Sequence, residues 1–318
     1  MSVGDFPRLV GDIGGTHARW AYQTEAGGAL SQVRGYQCAD FPTLEAVIEH
    51  YLLSHGLQRP RELAMGVATP VTGDSVRFVN NPWSFSIATL RESLGLQRLL
   101  VLNDFAALAL SLPLLSNAGR QSLGGGSPVE GAPMVVLGPG TGLGVAGLVI
   151  QPDGRPCVIS GEGGHATVAP ATERECEVLR LLRREFGHVS AERVLSGPGL
   201  VNLYRAVCTL DARPPADLSP ADVTGRASHD PACAQAIELF LAFLGGVAGN
   251  LALSFGALGG VYIGGGIVPR FGGLLDAAVF RHQFEDKGRL RGYVERIPTW
   301  LITADNPSLL GAANALNA

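Results

Sequence analysis

Carboxylates set beside glycine-rich turns are the groups in this 318-residue chain best placed to do chemistry. The stretch Leu9-Val10-Gly11-Asp12-Ile13-Gly14-Gly15-Thr16-His17-Ala18-Arg19-Trp20 reads as strand, tight turn, strand, with Asp12 leaving the first strand where the turn begins. Gly14 and Gly15 are expected to take the positive φ angles of a hairpin and, without Cβ atoms, to let an anion approach backbone N–H groups. A carboxylate beside such amides suits a polyphosphate carrying magnesium, because the metal offsets repulsion between Asp and phosphate. An ordinary hairpin accounts for this stretch equally well. The balance shifts with Val135-Val136-Leu137-Gly138-Pro139-Gly140-Thr141-Gly142-Leu143-Gly144-Val145-Ala146, which repeats the design of apolar strand, glycine-and-threonine turn and apolar strand. Two such turns at domain-scale spacing point to a duplicated unit, one per lobe, gripping one ligand from both sides.

Three further groups of residues carry polar chemistry. Asn103-Asp104 follows the short apolar run Leu99-Leu100-Val101-Leu102 and precedes an apolar helix from Phe105 to Leu112. That puts a carboxylamide and a carboxylate at the C-terminal end of a strand, the edge where open α/β sheets bind ligands. The helix dipole there favours an ionised Asp104, and capping the helix is compatible with catalysis. In Gly161-Glu162-Gly163-Gly164-His165, flanking glycines hold a carboxylate and an imidazole on irregular backbone. No further metal ligands lie at useful spacing, so hydrogen bonding to a polyhydroxyl ligand fits this pair better than a metal site. Glu192, taken alone, reads as an exposed glutamate at a helix start.

The elements that must position these groups are legible from periodicity. Leu44, Val47, Ile48, Tyr51 and Leu52 mark an amphipathic helix stopped by Gly56. Leu63 to Thr69 reads as a strand, followed by a loop through Asn80-Asn81-Pro82-Trp83, where an aromatic beside two amides serves either ligand recognition or packing. Residues 113–132, with Pro113, Gly124-Gly125-Gly126 and Pro128, are the best linker candidate. Gly142-Leu143-Gly144-Val145-Ala146-Gly147 matches G-x-G-x-x-G, but a strand follows where a dinucleotide fold needs a helix. Thr172 and Glu175 form a capping box for a helix ending at Gly187. A long apolar helix after Asp230-Pro231 contains Gly245, Gly246 and Gly249, so something approaches that face closely. The strand Gly260-Val261-Tyr262-Ile263 enters a third glycine turn, Gly264-Gly265-Gly266, and Asp305-Asn306-Pro307 opens a terminal helix.

Composition excludes several classes. Apolar content of 46% and charged content of 16% are those of a globular chain long enough for two lobes. A net charge of −4 offers no bulk attraction to nucleic acid or anionic membrane. The only lysine is Lys287, which rules out a P-loop and a protein-kinase lysine, so nucleotide phosphates must rest on amides, hydroxyls, metal and arginine. Five scattered cysteines read as buried thiols of a reducing compartment. With no leader-like N-terminus and no apolar run expected to span a membrane, the expectation is a cytoplasmic protein.

In order, G-D-I-G-G-T-H-A-R, L-N-D-F, G-P-G-T-G-L-G, G-E-G-G-H, H-V-S-A-E-R-V-L-S-G-P-G-L, G-G-G-I-V-P-R and D-N-P-S-L-L-G resemble the bacterial glucokinase family of the actin-like sugar-kinase ATPase superfamily. The resemblance spans roughly residues 8–312. It implies an α/β, two-lobed actin-like ATPase (ribonuclease H-like) fold, with duplicated mixed sheets flanked by helices and a central cleft. The domains it implies are a small one of residues 1–114 with 305–318, the C-terminal helix returning to the first lobe, and a large one of 115–304. The implied activity is ATP-dependent phosphorylation of D-glucose at its 6-hydroxyl, feeding glycolysis. Asp104 matches the family's catalytic base, and Asn103, Glu162, His165 and Glu192 match its glucose ligands. Gly11, Asp12, Ile13, Gly14, Gly15 and Thr16 match the first phosphate turn, with Asp12 ordering Mg²⁺ through water. Gly138, Gly140, Thr141 and Gly142 match the second phosphate turn, and Gly264, Gly265 and Gly266 the adenosine-side turn. A homodimer with no nucleic-acid or membrane partner is also implied. One departure is His17, where the family more often has Asn. The zinc-binding cysteine cluster of a related group of sugar kinases and repressors is absent.

Overall fold

The first strands run from a nearly wholly buried one to an exposed one, which sets the centre and the edge of the first sheet. The structure, a computed structural model, describes residues 5–78 and 81–317. The chain divides into two units, one of residues up to Ser116 with Pro152–Ser160 and those from Ala304 onward, the other of Asn117–Gln151 and Gly161–Thr303.

In the first unit, β1 (Arg8–Ile13), β2 (His17–Gln23) and β3 (Ser31–Gln37) form an antiparallel meander. α1 (Leu44–Ser54) follows, capped by Thr43, whose hydroxyl accepts from the Ala46 N–H, and its buried residues are the five that periodicity marks. β4 (Glu62–Val67) then pairs parallel to β1. A small hairpin of β5 (Ser75–Arg77) and β6 (Ser84–Ser86) precedes α2 (Ile87–Ser93). β7 (Arg98–Asn103) completes the sheet order β3-β2-β1-β4-β7 and leads without a loop into α3 (Asp104–Ser111). Trp83 packs in the core with its indole N–H donating to the Phe41 carbonyl, so packing is what this loop aromatic does. Its neighbour Asn80 lies outside the described residues.

The second unit repeats the pattern. β8 (Arg120–Gly124), β9 (Met134–Pro139) and β10 (Leu143–Ile150) come first, and β11 (Pro156–Gly161) ends as the chain re-enters this unit. α4 (Glu173–Phe186), α5 (Gly197–Leu210), α6 (Pro220–Arg226) and α7 (Pro231–Phe255) precede β12 (Gly260–Ile263). α8 (Ala277–Glu285), α9 (Arg291–Val294) and β13 (Thr299–Ile302) close it. Its strands run β10-β9-β12-β13-β8, with β9/β10 antiparallel and β9/β12/β13 parallel, the arrangement of β2-β1-β4-β7 again. The division between the units falls at Ser116/Asn117, near the start of residues 113–132, but the stretch is not a linker throughout, since β8 lies within it as a sheet-edge strand.

α7 is long and apolar enough to cross a membrane by length and composition, against the reading of the sequence. Here it is the core helix of the second unit, with Phe240, Leu244 and Ala248 fully buried. Gly245 and Gly249 are where Cβ atoms would run into the carbonyls of Phe280 and Phe284 on α8, which explains two of the three glycines on that face. Around Gly246 there is open space.

α10 (Pro307–Ala315) returns to the first unit, where Leu309, Ala312, Ala313 and Leu316 cover Val10, Ala21 and Ala64 of the sheet. A Cβ on Gly311 would collide with the Ala107 carbonyl, so α10 and α3 pack at backbone contact. Arg8, 2% exposed, fastens this end: it pairs with Glu62 at 2.7 Å and donates to Asn317 Oδ1 at 2.7 Å and to the Leu316 carbonyl at 3.2 Å. Arg8→Ala leaves Glu62 charged, buried and unpaired. We expect a loss of about 3–5 kcal/mol in urea denaturation at neutral pH.

Candidate active site

Sheet register brings the first-unit residues to one edge. Ile13 of β1 stands beside Val67 of β4, and Val67 beside Asn103 of β7, so the turn after β1 and the Asn103-Asp104 pair share the C-terminal edge of the three parallel strands. Ala68 N–H donates to the Ile13 carbonyl at 3.0 Å, fixing that edge. Gly66 allows α3 to start there, because a Cβ would come within 3.3 Å of the Asp104 Cα and 3.0 Å of the Ala107 Cβ. Asn103 is the N-cap of α3, its Oδ1 accepting from Phe105 N–H at 3.0 Å, and Asp104 Oδ1 accepts from the same N–H at 2.9 Å. Asp104 thus occupies the first helical turn with its carboxylate at the positive end of the helix.

The first glycine turn differs in detail from the sequence expectation. Gly14 does not adopt positive φ, and the turn is closed by Gly14 N–H donating to the His17 carbonyl at 2.9 Å. Gly11 and Ile13 belong to β1 rather than to the turn: a side chain on Gly11 would overlap the ring of Trp20, and Ile13 is fully buried. Asp12 also lies inside β1, opposite Arg19, while Gly14, Gly15 and the exposed Thr16 make the turn. His17 stands with Nε2 3.0 Å from Gln37 Nε2 on β3.

Burial raises the Asp12 carboxyl above its ordinary range, and Arg19, with Nη1 3.6 Å from Oδ2, pulls it partly back. A raised value means that the folded chain holds the proton more readily than the unfolded chain. Its stabilising contribution is therefore present at low pH and lost as pH rises through the raised value. The expected result is a wild type less stable than Asp12→Asn at neutral pH, with the gap closing as pH falls towards about 4, read from paired denaturation curves. A cation beside Asp12 would oppose that shift by favouring the carboxylate.

In the second unit, the turns after β9 and β12 share an edge in the same way, Ile263 standing beside Leu137. Gly138 is buried in β9, and Gly140 N–H donates to the Gly142 carbonyl at 2.8 Å across the turn. Thr141 is exposed at the tip. Gly264 N–H donates to the Leu137 carbonyl at 2.8 Å, and Gly265, at φ +77°, lies where a Cβ would strike the Pro139 carbonyl. Gly266 is exposed, with open space around it.

Glu162, His165 and Glu192 hang on one backbone frame in this unit. The segments that carry them are stitched by Ala191 N–H to the Ala166 carbonyl at 2.9 Å and Val168 N–H to the Val189 carbonyl at 3.1 Å. Glu162 and His165 are exposed; Glu192 is half-buried, with Oε2 accepting from the Leu143 N–H at 3.0 Å. Gly164 presses on the Leu143 carbonyl, where any Cβ would collide.

Sequence reasoning missed Ser196 and Gly197. Ser196 caps α5, accepting from Gly199 N–H at 3.0 Å, and Gly197 N–H donates to the Gly140 carbonyl at 2.9 Å, bracing the second turn. The signal was present in Ser196-Gly197-Pro198, an N-cap followed by proline in the first helical turn. The Thr172 cap forms, but Glu175 reaches Ala171 N–H at 2.5 Å instead of closing the expected box on Thr172. Of the five cysteines, Cys38, Cys208 and Cys233 are buried, whereas Cys157 and Cys176 are exposed, correcting the expectation for those two.

Comparison with known proteins gives a consistent result. A family model described as Glucokinase matches residues 9–318. The glucokinase of Aromatoleum aromaticum is 51% identical over 315 residues, covering 98% of this chain and 95% of that protein. Among solved structures, a glucokinase from an Antarctic psychrotroph matches with a TM-score of 0.91 at 36% identity, covering 98% of each chain. The glucokinase of Balamuthia mandrillaris, solved in complex with glucose, matches with a TM-score of 0.78 at 22% identity, over 98% of this chain and 94% of that one. This last likeness speaks to the fold alone.

Proposed function

The chain belongs to the glucokinase family, and from that membership we propose that it transfers the γ-phosphoryl group of ATP to the 6-hydroxyl of D-glucose, releasing glucose 6-phosphate and ADP. Asp104 accepts the proton of the 6-hydroxyl as that oxygen attacks the γ-phosphorus in line and the bond to the β-phosphate oxygen breaks. Asn103, Glu162, His165 and Glu192 hydrogen-bond the other sugar hydroxyls. The amides of the Gly14–Thr16 and Gly140–Gly142 turns hold the phosphates, with Gly264, Gly265 and Gly266 towards the adenosine. The observation that carries this reading is the shared edge of the first sheet, where the Gly14–Thr16 turn and Asp104 follow the parallel strands β1 and β7 that flank β4.

Asp12, a half-buried carboxylate near the end of β1 just before the Gly14–Thr16 turn, is the residue that would hold a water-mediated Mg²⁺ ion. Bound there with the nucleotide, Mg²⁺ would offset phosphate charge. The enzyme acts in the cytoplasm as a homodimer, a state that sedimentation equilibrium tests.

An ADP-release assay over a panel of glucose, mannose, fructose, N-acetylglucosamine and deoxyglucoses tests the substrate. Glucose is expected to be used best. Each missing or inverted hydroxyl that leaves one of these carboxylates unmatched in the sugar complex is expected to cost about 10- to 100-fold in kcat/KM. Equal turnover across the panel would refute the assignment of Glu162 and Glu192, and no ADP release with any sugar would refute the kinase reading.

A further inference from the structure

The half-buried carboxylate of Glu192 faces two ways. On the proposed reading it meets a sugar hydroxyl. In the structure its Oε2 already accepts the N–H of Leu143, the residue that leaves the second phosphate turn and starts β10. Gly142, one residue earlier, is where a Cβ would fall on that same oxygen, with the carboxylate carbon only 3.3 Å from the added atom. Gly142 does not have positive φ, so backbone conformation does not require glycine there. The carboxylate does.

Leu143 is gripped on its other side too. Its carbonyl is pressed by Gly164 of the loop carrying Glu162 and His165. The turn's opposite arm is held by Gly197 N–H on the Gly140 carbonyl. The Ser196 hydroxyl, which caps that helix, also donates to the Glu192 carbonyl at 2.8 Å. One short segment, 192–197, therefore supports both arms of the turn and presents a sugar-facing carboxylate.

We propose that Glu192 couples the two substrate sites: a sugar hydroxyl on its carboxylate fixes the rotamer that holds Leu143 N–H, setting the second turn's amides for phosphate, and Gly142 is the position that makes room for this link. The proposal rests on the reading of Glu192 as a sugar ligand and assigns it a second, positioning role. A carboxylate oxygen has two lone pairs, so the hydroxyl and the amide bind together rather than compete. Coupling is reciprocal: glucose tightens nucleotide and nucleotide tightens glucose by the same factor.

Calorimetric titration of a non-hydrolysable ATP analogue with Mg²⁺, with and without saturating glucose, measures that factor. The wild type is expected to bind the analogue roughly fivefold or more tightly with glucose present. In Gly142→Ala the added methyl meets only the flexible end of Glu192, so the fold is kept, the carboxylate is displaced and the factor falls to near one. Glu192→Asp, which shortens the reach to Leu143, is expected to lose the factor as well. Gly140→Ala adds the same methyl to the same turn with no neighbour closer than 4.0 Å. Whatever its absolute affinity, it should keep the wild-type factor. A factor of one in the wild type, a wild-type factor in Gly142→Ala or Glu192→Asp, or an equal loss in Gly140→Ala would overturn the coupling. If no sugar of the panel supports ADP release by the wild type, the sugar-kinase reading itself fails.

Discussion

Asp104→Asn is expected to leave the protein folded and to lower kcat with glucose by about 10²–10⁴-fold. An asparagine keeps an oxygen for the Phe105 N–H that Asp104 Oδ1 accepts at 2.9 Å, and the Asn103 cap on the same N–H is untouched. The helix start is therefore preserved while the base is removed. Because Asn is nearly the same size as Asp, KM for ATP should move little and the loss should fall on kcat, the signature of an interaction made in the transition state. Coupled assays with a melting curve on the same sample check this. Turnover within a few-fold of wild type would show that Asp104 is not the base.

Gly265→Ala should damage the glycine turns of the second unit. At φ +77° an L-residue costs roughly 1–2 kcal/mol. The new methyl would also meet the Pro139 carbonyl group and come within 2.9 Å of the Gly138 carbonyl carbon, all of it backbone that cannot swing aside. With overpacking of about 1–3 kcal/mol added, a total loss of about 2–5 kcal/mol is expected in urea denaturation. The atoms that must yield lie at the end of β9, immediately before the Gly140–Gly142 turn proposed to hold phosphate, so KM for ATP should rise about tenfold or more, with glucose affinity far less changed. Gly266→Ala, with open space around it, is the control for the stability loss and should be close to neutral in urea denaturation.

Local pattern made much of this architecture readable. The period of Leu44, Val47, Ile48, Tyr51 and Leu52 specifies one helical face, and those residues are the buried ones. Both glycine hairpins and the strand-to-helix junction at Asn103-Asp104 follow from apolar runs broken by turn residues, a short-range signal. What escaped depends on contacts distant in sequence. Nothing near Arg8 announces Glu62 and Asn317, and nothing near Gly11 announces Trp20 across the hairpin, so its missing side chain looked like an adaptation to phosphate. The glycines and prolines of residues 113–132 resemble a linker because an edge strand has little apolar pattern of its own, yet β8 pairs with β13 from far along the chain. Glu192 illustrates the limit best. Alone it reads as a solvated glutamate, and only folding shows that Gly142 exists to admit it.

The closure of the first sheet by α10 has a consequence for biosynthesis. Val10, Ala21 and Ala64 wait for Leu309, Ala312 and Leu316, and Arg8 waits for Leu316 and Asn317. A ribosome delivers those partners only after Asn117–Gln151 and Gly161–Thr303 have emerged. The later-made unit can thus assemble co-translationally while the earlier one, its sheet covered on one side by α3 alone, is finished last. Order of synthesis and order of completion are reversed, and the nascent N-terminal half is the part that chaperones have most reason to shield.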